Sequence, residues 1–217
     1  MHQWRDIYGA DLVALLVHHD DWWDYYGKGA VLQSLGAGAE DRGFSVMVWQ
    51  SVESEDAIAH QTGHNLGCAH SPDDPDWEGL FEDSHAFCYQ DGAHWSCTIM
   101  RERYSQYSDF DLYSNPDVKY GVLPVGNDQC NNAGTINISK YTVESFRPHL
   151  EWVDLDGETE FPFGHYHFPW NSLRGGLDHA DPGDVVKMMG GSTTEAPLID
   201  QSVVLDSYPG SALIGAE

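Results

Sequence analysis

Basic residues are scarce in this chain of 217 residues: ten Lys and Arg stand against 35 Asp and Glu, for a formal charge of −25. So acidic a surface repels phosphate backbones and anionic lipid headgroups, which argues against nucleic acid and membranes as partners. It suits a secreted protein in a salty medium, where screening relieves the self-repulsion. Long apolar runs are missing too. No stretch reaches the roughly 18 to 20 residues of a membrane-spanning helix, and residues 1–8 lack the apolar segment of an export signal. Cysteine is limited to Cys68, Cys88, Cys97 and Cys130, which allow three full pairings that spacing alone does not decide. Cys88 with Cys97 closes a short loop and leaves Cys68 and Cys130, so two disulfides in an oxidising compartment is the favoured expectation.

What is present is a concentrated group of histidines in the segment HQTGHNLGCAH, residues 60–70. On a helix, His60 and His64 project from one face about one turn apart. Gly67 can take the left-handed conformation that ends a helix, and the chain can then swing His70 back toward the other two. Three neutral imidazoles with one open position form a catalytic rather than a structural zinc geometry. In such motifs the residue after the first histidine is a Glu that takes a proton from zinc-bound water. Here it is Gln61, which has nearly the same shape but an amide that accepts no proton at neutral pH. Losing a positioned general base costs about 10²- to 10⁴-fold in rate.

The surrounding sequence predicts a helix through the motif. Ser54 is a candidate N-cap, Glu55 and Asp56 place negative charge in the first turn, and Ala57, Ile58 and Ala59 give a small apolar face. Gly63 inside that helix costs about 1 kcal/mol relative to Ala, which a close backbone approach would explain. Upstream, Ala10 to Val17 reads as a buried strand and Phe44 to Gln50 as a second one. Between them, Trp22, Trp23, Tyr25 and Tyr26 read as loop-packing aromatics, and His18-His19-Asp20-Asp21 as a solvated loop. His85, His94, His149, His165, His167 and His179 lack ligand spacing and receive no role.

HQTGHNLGCAH resembles the extended HExxHxxGxxH signature of the metzincin zinc metallopeptidases, most closely bacterial reprolysin-like members. Tyr8-Gly9-Ala10-Asp11-Leu12-Val13 is similar to the strand lead-in before the active-site helix in that family. Thr98-Ile99-Met100 matches its Met-turn, and Tyr113-Ser114-Asn115-Pro116-Asp117-Val118 is similar to the segment that walls the substrate pocket. The resemblance covers residues 4–148. It implies Zn²⁺ on His60, His64 and His70, Met100 beneath the metal, and Tyr113, Ser114, Asn115 and Pro116 along the pocket for a protein or peptide substrate. It also implies an α+β zincin fold with a mixed sheet and an active-site helix. The chain departs from the family at Gln61, at Thr62 and at the polar run Arg101-Glu102-Arg103, where Glu102 is the first alternative base. Family members carry further elements before the segment that begins here at Trp4, so the expectation is a domain shortened at its amino end, with its export signal upstream.

Character changes near Glu151. The expected organisation is a partial metzincin-like domain over 1–150, an acidic linker over 151–160 and a small module over 161–217. Asp154 and Asp156 read as linker residues rather than calcium ligands. Beyond them come a helix-like stretch, Leu173 to Ala180, a turn at Asp181-Pro182-Gly183-Asp184, and an apolar run from Val185 to Gly191. Short β-prone pieces follow at Pro197-Leu198-Ile199, Ser202 to Asp206 and Ala212 to Gly215. The pieces PWNSL, DPGDVV, GGSTTEAP, VVLDSYPG and ALIG resemble, in order, the capping coil of pectin-lyase-like right-handed parallel β-helices. That resemblance implies a β-solenoid cap fragment that targets the protein or binds polysaccharide. The combined expectation is a secreted zinc metalloendopeptidase-like protein impaired at Gln61. The alternative is a non-enzymatic zinc-containing module that binds peptide or polysaccharide.

Overall fold

The computed structural model describes residues 2–18, 27–54, 56–72, 78–91, 94–101 and 107–215. Two compact units make up the chain: residues 11–146, and residues 147–217 together with the segment ending at Ala10. His19 to Asp21, the aromatics Trp22 to Tyr26, and Glu55, Glu102 and Arg103 lie outside the described residues. No helix among the described residues is long and apolar enough to cross a membrane.

The helix α1 (His2–Tyr8) belongs to the second unit. The first unit opens with β1 (Val13–Val17), β2 (Gly27–Gly29) and β3 (Phe44–Val48), ordered β1-β3-β2 in one sheet. β1 runs parallel to β3 with Val13 opposite Phe44 and Val17 opposite Val48, while β2 is antiparallel with Gly29 opposite Ser45. Ala14, Leu15 and Leu16 are exposed, which corrects the reading of this apolar run as buried. The run is an edge strand, and apolar composition does not tell edge from centre. The second strand stops at Val48 because Trp49 starts helix α2 (Trp49–Ser54). There the Ser51 hydroxyl donates to the Val48 carbonyl at 2.7 Å, a local bond that favours a turn over an extended chain. Ser54 therefore closes α2 instead of capping the next helix, and Asp56 is the N-cap of α3 (Ala57–Asn65).

Beyond α3, β4 (Cys88–Asp91), β5 (His94–Cys97) and β6 (Tyr107–Asp109) form a second small sheet. Cys88 and Cys97 face each other across the antiparallel β4–β5 pair and are joined by a disulfide. The expected second bridge is not formed. Cys68 and Cys130 are buried thiols, and Cys68 Sγ points at the Asn132 carbonyl 3.7 Å away. A hairpin of β7 (Asn115–Tyr120) and β8 (Leu123–Val125) leads to α4 (Asn132–Val143), whose N-cap Asn131 accepts a bond from the Gly134 amide at 3.0 Å. Two apolar clusters hold this unit together. One gathers Leu32, Ala39 and Val143 around Leu66 and Phe146; the other packs Cys68, Ala86 and Met100 with Ile99, Tyr113 and Ile136.

In the second unit, β9 (Leu150–Val153), α5 (Leu173–His179), β10 (Val185–Met188), β11 (Gly191–Thr193), β12 (Val204–Ser207) and β13 (Ala212–Ile214) follow in turn. Residues 151–153, expected within a linker, are strand instead, with Trp152 and Val153 buried. The acidic look of this segment misleads because the Glu151 carboxylate turns inward and accepts a 2.6 Å bond from the Trp170 indole. The named strands of the unit all pair in parallel: β9, β10 and β12 form one sheet, β11 and β13 another, with Val185 opposite both Leu150 and Val204. Pro197 to Ile199 is not strand. Val153, Leu173, Leu177, Val186 and Met188 make the core, and α5 begins where the Ser172 hydroxyl caps the Gly175 amide.

Candidate metal centre

Helix α3 carries His60 and His64 one turn apart on a face turned into the unit. Its end is built by the local sequence. Gly67 takes φ +91°, its amide donates to the His64 carbonyl at 2.9 Å, and the Cys68 amide donates to the Gly63 carbonyl at 2.9 Å. This is a Schellman turn, and it reverses the chain within three residues of His64. Two backbone bonds then pin the returning segment: the Ala69 amide to the Ser84 carbonyl at 2.7 Å and the Ala86 amide to the His70 carbonyl at 2.8 Å.

The three imidazoles converge. Each offers a ring nitrogen within 4.8 Å of the others. His60 Nε2 and His70 Nε2 are 3.1 Å apart, near the roughly 3.3 Å edge of a tetrahedron with metal–nitrogen bonds of 2.0–2.1 Å. The ring centroids lie 4.8–5.2 Å from one another. The far side of two rings is tied to backbone carbonyls, His60 Nδ1 to Ile99 O and His64 Nδ1 to Cys68 O, both at 2.9 Å. A carbonyl accepts only, so each Nδ1 carries the proton and each Nε2 turns a lone pair toward the centre. Burial, reinforced by His70 and Arg101, lowers the His60 pKa to about 4. Burial with both neighbouring rings lowers that of His64 to about 3. Both rings are thus neutral at physiological pH, the state in which imidazole binds a metal. The donor set, its spacing and its fixed tautomers fit a divalent ion.

The site's floor comes from a turn closed by the Arg101 amide on the Thr98 carbonyl at 3.1 Å. Ile99 in that turn orients His60, and Met100, fully buried, packs beneath the helix. Gly63 is where they meet: a Cβ there would overlap Met100 Sδ and lie 3.1 Å from Tyr113 Cε1. The glycine is the price of that close approach. Tyr113 is anchored to α3 by a 2.6 Å bond from its hydroxyl to the Ala59 carbonyl, and burial, together with Cys68 and Asp56, raises its pKa. Ser114 is buried and donates to the His85 carbonyl while accepting from the Asn132 amide. Asn115 and Pro116 open β7, where Asn115 pairs with Val125.

Gln61 is 6% exposed, and its Oε1 has no hydrogen-bond partner among the described residues. Its side chain lies against β2: a Cβ on Gly29 would sit 3.0 Å from Gln61 Oε1 and 3.0 Å from His64 Cβ. Reading the sequence missed this contact and missed Asn65, whose buried amide bonds three carbonyls. Signals for both were present, in the Gly-Lys-Gly of a strand and in a low-propensity Asn at a helix end. No protein-family model, curated protein or solved structure matches this chain.

Proposed function

We propose that residues 11–146 form a zinc-binding, metzincin-type metalloendopeptidase-like domain in which peptide hydrolysis is impaired at Gln61. The observation that carries this is the convergence of His60, His64 and His70 with two Nδ1 protons fixed on backbone carbonyls. Support also comes from the resemblance of HQTGHNLGCAH to the family signature and from Met100 beneath the helix. His60, His64 and His70 would hold the zinc, which would supply Lewis-acid chemistry for activating water. The chain's own groups orient the rings, exclude bulk water from beneath the helix and hold Gln61 in the position of the base. An amide there can accept a hydrogen bond from water, yet it cannot carry the proton away. Protein or peptide is the substrate class of this reading.

For the second unit we propose a β-solenoid cap that targets the protein or binds polysaccharide, a reading supported by the parallel stacking of β9, β10 and β12 and of β11 and β13. The Cys88–Cys97 disulfide supports secretion. A non-enzymatic zinc module is the second reading, favoured by the amide at position 61. Metal analysis of the purified protein and a Gln61→Glu variant test the proposal. We expect about one zinc per chain, and cleavage of a fluorogenic peptide rising about 10²- to 10⁴-fold in the variant. A metal-loaded variant with no gain points to the binding module. Absence of zinc from both proteins refutes the metal reading.

A further inference from the structure

The carboxamide nitrogen of Asn65, 2% exposed at the last position of α3, shares its two N–H groups among three backbone carbonyls: Ala30 at 3.0 Å, Arg42 at 2.7 Å and Phe44 at 3.0 Å. These carbonyls belong to separate pieces of chain. Ala30 directly follows β2, Arg42 ends a short 3₁₀ turn (Ala39–Arg42), and Phe44 begins β3. The Phe44 carbonyl also takes the Ala30 amide at 3.1 Å, so the side chain binds at the point where β2 leaves β3. The Leu32 amide adds a bond to the His64 carbonyl at 2.9 Å just beyond. Asn65 thus clasps the end of β2 to the ligand-bearing helix.

What the clasp controls is visible one residue earlier in β2. Gly29 approaches α3 so closely that a Cβ would lie 2.8 Å from the Gln61 carbonyl oxygen, 3.0 Å from Gln61 Oε1 and 3.0 Å from His64 Cβ. Two residues before it, a Cβ on Gly27 would lie 3.2 Å from Gln61 Cγ. β2 therefore lies close against the stems of both His64 and Gln61, with no room for a side chain between, and the width of that gap depends on how firmly β2 is held.

We propose that Asn65 is a positioning residue of the metal centre. By setting the gap between β2 and α3, it fixes the side-chain geometry of His64 and Gln61. The proposal rests on the metal reading above but makes a claim of its own. Without the clasp the helix persists and β2 lifts. His64 then gains rotational freedom, and the ion loses a preorganised ligand.

The test compares Asn65→Leu, close in shape but without donors, with Ser139→Ala. The latter removes a 2.7 Å bond from α4 to the Leu66 carbonyl and leaves β2 untouched. Zinc affinity is measured by chelator competition, the ligand field by the visible spectrum of the Co²⁺-loaded protein, and the β2 gap by hydrogen exchange of the amides from Gly27 to Leu32. In Asn65→Leu we expect faster exchange confined to that stretch, a shifted Co²⁺ spectrum and zinc affinity lowered about 10- to 100-fold. In Ser139→Ala, affinity and spectrum should match the parent even where stability falls. If Asn65→Leu does not fold, Gly29→Ala wedges the same gap with the Asn65 side chain retained, and the same spectral shift is expected. Unchanged affinity and spectrum in the folded variant, or equal losses in both variants, would overturn the proposal. A parent protein that takes up no zinc refutes the metal reading instead, and the exchange of β2 still reports on the clasp.

Discussion

Gly63→Ala is the sharpest probe of the packing beneath the metal centre. On an open helix this change stabilises by about 1 kcal/mol. Here the added methyl overlaps Met100 Sδ and comes within 3.1 Å of Tyr113 Cε1 and 3.2 Å of Met100 Cε. Comfortable carbon contacts lie at about 3.5–4.0 Å. Neither neighbour can swing into solvent, since Met100 is fully buried and the Tyr113 phenol is tied to the Ala59 carbonyl. Overpacking of this kind costs about 1–3 kcal/mol, and with both neighbours fixed the upper half of that range applies. After the helix gain is subtracted, the expected loss is about 1–2 kcal/mol. Urea denaturation of the metal-free protein should show a lower midpoint with an unchanged slope. Because the pressed turn also orients His60 through Ile99, zinc affinity should fall as well. Adding Met100→Ala to the variant should relieve the clash, giving a double-mutant coupling of at least about 1 kcal/mol. A raised midpoint in Gly63→Ala, as on a free helix surface, would show that the approach does not exist.

His60→Ala, His64→Ala or His70→Ala should each abolish stoichiometric zinc uptake, while a fold with near-parental circular dichroism persists; full retention of zinc in any of them refutes the ligand set. The folded-state pKa values of His60, about 4, and His64, about 3, lie below the unfolded value of 6.5, so the unfolded chain binds more protons between those limits. Stability of the metal-free protein should therefore be complete above about pH 6.5 and fall as pH drops toward 4 and then 3, by up to about 1.4 kcal/mol per pH unit for each ring. Denaturation curves at stepped pH check this, and a flat profile across that window contradicts it. A thiol reagent should find almost no reactive cysteine in the native protein, two after unfolding and four after reduction, because Cys68 and Cys130 are buried and Cys88 is bonded to Cys97.

The histidine-bearing helix was legible because its signals are local. Four-residue histidine spacing, a glycine at the helix stop and a short return to His70 all act within eleven residues, and the Schellman turn at Gly67 uses no distant partner. Gly63 was legible as an anomaly, although its cause, Met100 and Tyr113, lies far along the chain. Readings failed where composition stood in for environment. Val13 to Val17 is apolar enough for a core yet lies at a sheet edge. Glu151 and Trp152 look like linker, but the indole of Trp170 neutralises the cost of turning a carboxylate inward. Trp49 and Gln50 suit a strand, and a single hydroxyl bond from Ser51 helps turn them into a helix. Asn65 escaped notice because its three acceptors come from other segments, which nothing within the motif announces.

The loop from Thr98 to Arg101 gives one atom to the proposed metal centre and another to mechanical support: an oxygen aims an imidazole while a sulfur bears the weight of the helix above. On the metal reading proposed above, ion affinity and helix seating therefore share a single hinge of backbone. Variation in that loop cannot retune one without disturbing the other, and the set of sequences it tolerates is narrower than either task alone would demand.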